Sequence, residues 1–185
     1  KEKEKMFKDF DLSKFKKLKP TSNNSFDTTQ EIKALNKIPI NKNFVKKYDD
    51  IEKVFAEVAY KNNIKDYDAD LVGKLITTSA PIIKKLKNHF DRPRPKVLAR
   101  KMNIKMKDYE MESMKTPSYP SGHSTQGVLI SLALSDKHPK AKKDFKQAAK
   151  NISDSRNIAH AHYKSDSKMG EKLGKEMYNY IKNKI

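Results

Sequence analysis

The sequence predicts an all-α protein, a single-domain helical bundle of five to seven helices. Only five glycines and eight prolines interrupt its 185 residues. Apolar residues recur at steps of three and four in several segments, and no alternating strand pattern of useful length occurs. The length is enough for one domain with a real core and short for two, so residues 1–185 are treated as one domain.

The helices of the first half follow from apolar spacing and capping signals. The charged lead-in over residues 1–25 is predicted to be partly irregular. Thr28 and Glu31 have the spacing of a capping box, which predicts that a short helix begins there. Apolar residues at steps of four and three predict one amphipathic helix over residues 44–64.

The second half carries longer helical patterns. Residues 68–90 predict a helix in which Pro81 causes a kink or a restart, and "DRPRPK" ends it. Residues 96–117 form a polar connection that contains several methionines, and its unusual length indicates a functional loop. The methionines either pack against the core or form an adaptable rim around the substrate. Three further helices are predicted, over residues 122–135, 140–159 and 165–184.

The composition limits the function classes. The formal net charge of +18 favours anionic partners, which include phosphorylated substrates, nucleic acid and acidic membrane surfaces. The absence of cysteine excludes a disulfide-stapled fold and thiolate chemistry. No apolar run approaches the roughly 20 residues that a transmembrane helix needs. The chain begins at Lys1, so we expect that a signal segment has been removed.

The stretch "SRNIAHAHYKSD" contains a possible catalytic pair. His162 and Asp166 are four residues apart and would share one face of a helix, with Arg156 shortly before them. A carboxylate can hold one imidazole nitrogen and leave the other free as a nucleophile or base. Such pairs are also common in surfaces and cores, so the pair alone does not establish catalysis.

The stretch "SYPSGHST" places Ser121, Gly122 and His123 between a proline turn and an apolar helix. Free N–H groups at a helix N-terminus bind anions, and glycine allows a close backbone approach. An imidazole there can protonate a leaving oxygen. The alternative is an ordinary helix start after a turn.

The stretch "KNHFDRPRP" supplies Lys87, Arg92 and Arg94. Arginine binds phosphate with two parallel hydrogen bonds and lysine adds a point charge, although basic residues also favour helix ends for electrostatic reasons alone. The three stretches together contain the groups that phosphoryl transfer through a covalent histidine requires, without a metal-ligand cluster.

The order K-x(6)-R-P, then P-S-G-H, then S-R-x(5)-H-x(3)-D resembles the three-part signature of the type 2 phosphatidic acid phosphatase superfamily. That superfamily also contains the bacterial class A non-specific acid phosphatases and the vanadium haloperoxidases. The first stretch is similar to the acid phosphatase form, and Asp166, Gly170 and Gly174 resemble its D-x(3)-G-x(3)-G continuation. Lys85 and Arg92 also fit the first part, but the form favours Lys87 and Arg94.

The resemblance implies an acid phosphatase-like phosphoric monoester hydrolase with the superfamily's helical fold and neither cofactor nor metal. His162 would be the nucleophile, Asp166 would orient it, and His123 would protonate the leaving group and then activate water. The groups that bind the substrate phosphate would be Lys87, Arg94, Ser121, Gly122 and Arg156. The other histidines, His89, His138 and His160, are expected to be structural or exposed.

The resemblance further implies a phosphate-monoester substrate, vanadate or phosphate as a site ligand, and a periplasmic or secreted location. A homo-oligomer and a peripheral membrane contact stay open. Three alternatives also stay open: a lipid-phosphate phosphatase at a membrane surface, a vanadate-dependent haloperoxidase, and a basic nucleic-acid-binding protein. The last has no recognised reader motif, and no specific nucleic acid is expected.

Overall fold

The computed structural model describes residues 6–185, and in this range it contains nine α-helices and no β-strand. The prediction of an all-α protein is therefore confirmed. The helices are α1 (Ser13–Lys16), α2 (Phe26–Asn36), α3 (Lys42–Asp49), α4 (Ile51–Lys61), α5 (Ala69–Phe90), α6 (Pro95–Lys101), α7 (Gly122–Lys137), α8 (Lys142–Ile158) and α9 (Lys164–Ile181).

Two predicted helix starts differ from the structure because of their caps. The single helix expected over residues 44–64 is two helices, since Asp50 adopts an extended backbone and its side chain accepts a hydrogen bond from Lys53 N at 3.2 Å. Helix α2 begins before Thr28, because Ser25 is its N-cap and accepts from Thr28 N at 3.2 Å. A side-chain oxygen that satisfies a free amide in this way fixes where a helix begins.

The connection expected over residues 96–117 is more ordered than the sequence indicated. Its first part is helix α6, which Pro95 starts in the first-turn position that proline tolerates. A single 3₁₀ turn over Glu112–Lys115 follows. Pro81 neither ends nor restarts α5, which is assigned without interruption from Ala69 to Phe90.

Helix α7 lies at the centre of the bundle and packs against both α8 and α9. Its Leu129 and Ile130 are completely buried. Helix α9 approaches α7 closely through two glycines: a Cβ added at Gly170 would lie 2.6 Å from the carbonyl oxygen of Ser121, and one at Gly174 would lie 2.5 Å from that of Thr125. The close approach brings the start of α9 against the start of α7.

Candidate active site

The predicted site residues meet where helices begin and end. Lys87 lies in the last turn of α5, and Arg94 is the N-cap of α6. Arg156 lies in the last turn of α8, and His162 lies in the short connection that leads into α9. These four side chains are buried. The remaining site residues are in the first turns of two helices, with Ser121, Gly122 and His123 at α7 and Asp166 at α9.

His162 and Asp166 are paired, but not on one helical face as the spacing predicted. Helix α9 begins at Lys164, so Asp166 reaches back from the first turn to the residue before the cap. The His162 Nδ1 atom is 2.9 Å from Asp166 Oδ2. Since the carboxylate accepts a hydrogen bond from Nδ1–H, the lone pair of the neutral ring is on Nε2. Arg94 Nη1 donates to that Nε2 at 2.9 Å.

Asp166 is fixed by several donors besides His162. Arg92 Nη1 donates to Oδ1 at 2.8 Å, while Oδ2 accepts from the Ser118 hydroxyl and from Tyr163 N at 3.2 Å. Burial raises the pKa of Asp166 to about 6, although Arg92 opposes the shift. Arg92 itself is fully buried, and its guanidinium lies 3.8 Å from the centre of the Tyr163 ring.

The ambiguity between Lys85/Arg92 and Lys87/Arg94 has a structural answer. Lys85 is exposed, and Arg92 donates to Asp166 Oδ1, whereas the imidazole is bound to the other oxygen, Oδ2. Lys87 is buried and close enough to lower the pKa of His162, and Arg94 contacts the imidazole directly. The structure therefore brings the second pair to His162.

The buried cations give the site a strongly positive potential. Burial, reinforced by Arg94 and Lys87, lowers the pKa of His162 well below its ordinary value, so the imidazole is neutral. Burial, and then Arg94, lower the pKa of Lys87 to about 7. Burial also lowers the pKa of Arg94 to about 10 and that of Arg156. In each case the charged form is destabilised, because the buried group has lost the solvation that water would give it.

Backbone carbonyls after α6 hold two of these cations. Arg94 donates from Nη2 to the carbonyl of Ser113 at 2.6 Å and from Nε to that of Thr116 at 2.8 Å, and Lys87 Nζ donates to that of Pro117 at 2.9 Å. Within residues 6–185, the buried Arg156 Nη2 atom has no hydrogen-bond partner. A buried donor without a partner is costly unless a ligand satisfies it.

The start of α7 offers further donors. Ser121 caps the helix, because its hydroxyl accepts from Ser124 N at 3.2 Å, and its own N–H donates to the Asp166 carbonyl at 3.1 Å. In the described part of the chain, the amide groups of Gly122 and His123 have no hydrogen-bond acceptor. Such first-turn amides bind anions.

Asp49, at the end of α3, is a site residue that the sequence analysis missed. Its carbonyl oxygen lies 2.8 Å from His123 Nε2, and its Oδ1 lies 3.1 Å from Arg156 Nη1. The contact of His123 Nε2 with the Asp49 carboxylate, 3.5 Å from Oδ1, is the main cause of the lowered pKa of Asp49, while burial lowers the pKa of the partly buried His123. The only sequence signal was the paired Asp49-Asp50, where the predicted helix over residues 44–64 breaks.

Other histidines lie apart from this cluster. His89 is exposed and His138 is partly exposed at the end of α7. His160 is buried and both of its ring nitrogens contact backbone carbonyls outside the site.

The sequence matches a known protein family. Residues 71–174, more than half of the chain, match the PAP2 superfamily. The chain belongs to the PAP2 superfamily. The matched range includes every site residue that the sequence predicted, whereas Asp49 precedes it.

Two curated relatives of this PAP2 chain are non-specific acid phosphatases. The one from Salmonella typhimurium (strain LT2) is 34% identical over 88 residues, and the one from Salmonella typhi is 33% identical over 88 residues. Each match covers 48% of this chain and 35% of the relative, so it spans about a third of the relative's length. The family match and these names support the predicted class, a phosphoric monoester hydrolase.

A solved structure with the same fold is that of the first transmembrane PAP2 type phosphatidylglycerolphosphate phosphatase from Bacillus subtilis. The TM-score is 0.57 at 19% identity, and the match covers 93% of this chain and 92% of that one. The prediction of a periplasmic or secreted location is wrong on this comparison, because the structural relative is a transmembrane protein. Among residues 6–185, no helix of this chain is both long and apolar enough to cross a bilayer.

Proposed function

We propose that this PAP2 chain is a metal-independent phosphomonoesterase that acts through a phosphohistidine intermediate. One observation carries the proposal: a neutral His162 Nε2 lies beside the buried cations Lys87, Arg94 and Arg156, which have only one carboxylate partner, Asp49, among them in the described residues. A neutral imidazole is the nucleophilic form, and desolvated cations stabilise negative charge strongly.

In the first step, Arg94 Nη1 exchanges its hydrogen bond to His162 Nε2 for one to a phosphate oxygen, Nε2 attacks phosphorus, and the bond to the leaving oxygen breaks. The imidazole becomes cationic as the N–P bond forms, and Asp166 stabilises that charge through Nδ1–H. His123 must enter this step as the imidazolium, the form that burial disfavours and the contacts with Asp49 favour. Because its Nε2–H donates to the Asp49 carbonyl, Nδ1 is the nitrogen that gives its proton to the leaving alkoxide.

In the second step, water attacks the phosphohistidine. His123 Nδ1, now without its proton, takes one from the attacking water, and the N–P bond breaks to release phosphate and the neutral His162. Both steps leave the Nε2–H bond to Asp49 intact, so one fixed ring orientation serves for acid and base.

When substrate binds, the buried cations would exchange main-chain hydrogen-bond acceptors for phosphate oxygens. The phosphate oxygens would replace the carbonyls of Ser113, Thr116 and Pro117 on Arg94 and Lys87, and would add the missing acceptor for Arg156 Nη2. The amides of Gly122 and His123 complete the set of donors. Vanadate would release the carbonyls of Ser113, Thr116 and Pro117 from the cations, so we expect it to increase amide hydrogen exchange over residues 111–117. Unchanged exchange in this segment would contradict the proposed displacement.

The enzymatic test is hydrolysis of p-nitrophenyl phosphate in excess chelator. We expect turnover, inhibition by vanadate, and loss of nearly all activity in His162→Ala. Full activity in that variant would refute the phosphohistidine mechanism, and activity that disappears with chelator would refute metal independence. Lys85→Ala is the matched control for Lys87→Ala, because the two lysines lie on the same helix and only Lys87 is buried.

A lipid phosphate is the second candidate substrate. The solved relative is named for phosphatidylglycerolphosphate, and the net charge of +18 favours an anionic membrane surface. Flotation with anionic and with zwitterionic vesicles, followed by competition between a lipid phosphate and the aryl phosphate, separates the two substrates. The single phosphatase domain over residues 1–185, the peripheral membrane contact and the homo-oligomer stay predictions.

A further inference from the structure

A second cavity lies outside the candidate active site. It has a volume of about 870 Å³ and lies between the α2–α3 connection, α6 and the segment that follows α6. Its size is within the range of about 300–1,000 Å³ that small-molecule sites occupy. The apolar part of its lining consists of Ile38, Pro39, Ile40, Ile104 and Met106.

The polar part of the lining is cationic. It contains four basic side chains, and among the described residues those that line the cavity include no Asp or Glu. Lys96 pairs with Asp108 at 3.0 Å. Over residues 6–185, no carboxylate lies within ion-pair distance of the other three, which are Arg100, Lys105 and Lys107.

His160 holds two walls of the cavity together. Only 3% of it is exposed, its Nδ1 lies 2.7 Å from the Lys107 carbonyl, and its Nε2 lies 2.6 Å from the Ile38 carbonyl. Both contacts are to main-chain carbonyl oxygens, so the ring bridges the α2–α3 connection and the segment that follows α6. Asn36 Nδ2 adds a second link by donating to the Lys105 carbonyl at 2.9 Å.

We propose that this cavity binds an organic anion with an apolar body, such as a long-chain carboxylate. The basic side chains of the lining would pair with the charged group of such a ligand, and the apolar side chains would contact its apolar body. The walls are tied by the two His160 hydrogen bonds and do not have to be ordered by the ligand, which lowers the cost of binding. The proposal is independent of the phosphatase activity, because no residue of the phosphate site lines this cavity.

The test is fluorescence titration of the full chain with a dansyl-labelled long-chain carboxylate and with its methyl ester. We expect the carboxylate to bind and the uncharged ester to bind about tenfold more weakly or worse. The double variant K105E/K107E should weaken carboxylate binding about tenfold or more, because two attractions become repulsions. Equal binding of acid and ester, or unchanged affinity in the variant, would overturn the proposal.

Two controls separate this site from the phosphate site and from net charge. K140E/K143E changes the charge by the same amount at exposed lysines near the start of α8, and it should bind the carboxylate like the wild type. Saturating inorganic phosphate should leave carboxylate binding unchanged, and competition would place the probe in the phosphate site instead. If circular dichroism shows K105E/K107E to be unfolded, K105Q/K107Q replaces it with the same expected direction.

Discussion

The Asp166→Asn variant tests two separate effects of Asp166, one on the free energy of unfolding and one on catalytic turnover. The carboxylate is completely buried and is the main counter-charge of Arg92, which is also completely buried and donates to it at 2.8 Å. Removing one partner of such a pair leaves an uncompensated buried charge and costs about 3–5 kcal/mol. Glu31 lies 3.4 Å from Arg92 Nη2 and remains in the variant, so we expect about 3 kcal/mol of lost unfolding free energy.

The double variant Asp166→Asn with Arg92→Met tests this reasoning. Removing both charges abolishes the uncompensated cation, so chemical denaturation should recover part of the lost stability. Activity should not recover, because His162 Nδ1–H still lacks a charged acceptor. By analogy with the Asp of a Ser-His-Asp triad, we expect kcat to fall about 10²- to 10⁴-fold in both variants. A single variant as stable as wild type, or a double variant that regains activity, would refute the reasoning.

Three further variants test the packing, the acid and the pH dependence. Gly170→Ala should destabilise the fold by about 1–3 kcal/mol in thermal denaturation, because the new Cβ would lie 2.6 Å from a backbone oxygen, whereas Gly73→Ala, with nothing within 4 Å, should be neutral or stabilising. His123→Ala should reduce hydrolysis of alkyl phosphates more than of p-nitrophenyl phosphate, since a good leaving group does not need the proton; equal losses would argue against an acid role. Activity should fall as pH rises through about 7, because Lys87 then loses its proton, and Lys87→Arg should move this limb to higher pH; an unmoved limb would assign it to another group.

The spacing of apolar residues predicted where helices occur, but it did not show where one helix ends and the next begins when the apolar stripe continues through both. The apolar stripe from Phe44 to Val58 runs on across both α3 and α4, so it indicated one helix. The break depends on the extended backbone of Asp50, which caps α4. A cap depends on local geometry at a single residue, and a pattern of apolar residues carries no information about it. The same break placed Asp49 in the site, which explains why the sequence analysis missed it.

The sequence motifs identified the side chains of the site, but not which of them are buried or which main-chain groups they contact. Lys85 and Lys87 are two positions apart, about 200° around a helix, so only one of them can face the interior. The sequence alone does not show which one does, and the packing of α5 decides it in favour of Lys87. The main-chain acceptors on Arg94 and Lys87 were not predictable, because every residue type has a carbonyl.

Those carbonyls hold the buried cations in place in a way that would still allow them to bind an anion. A carboxylate partner would neutralise a cation and compete with an incoming phosphate, whereas a carbonyl dipole orients the cation without cancelling its charge. The two carboxylates of the site are placed accordingly. Asp166 is matched by Arg92 on its other oxygen, and Asp49 offsets only one of the charges on Lys87, Arg94 and Arg156. Net positive charge therefore remains on buried side chains, where it would stabilise a developing phosphoryl transition state most strongly.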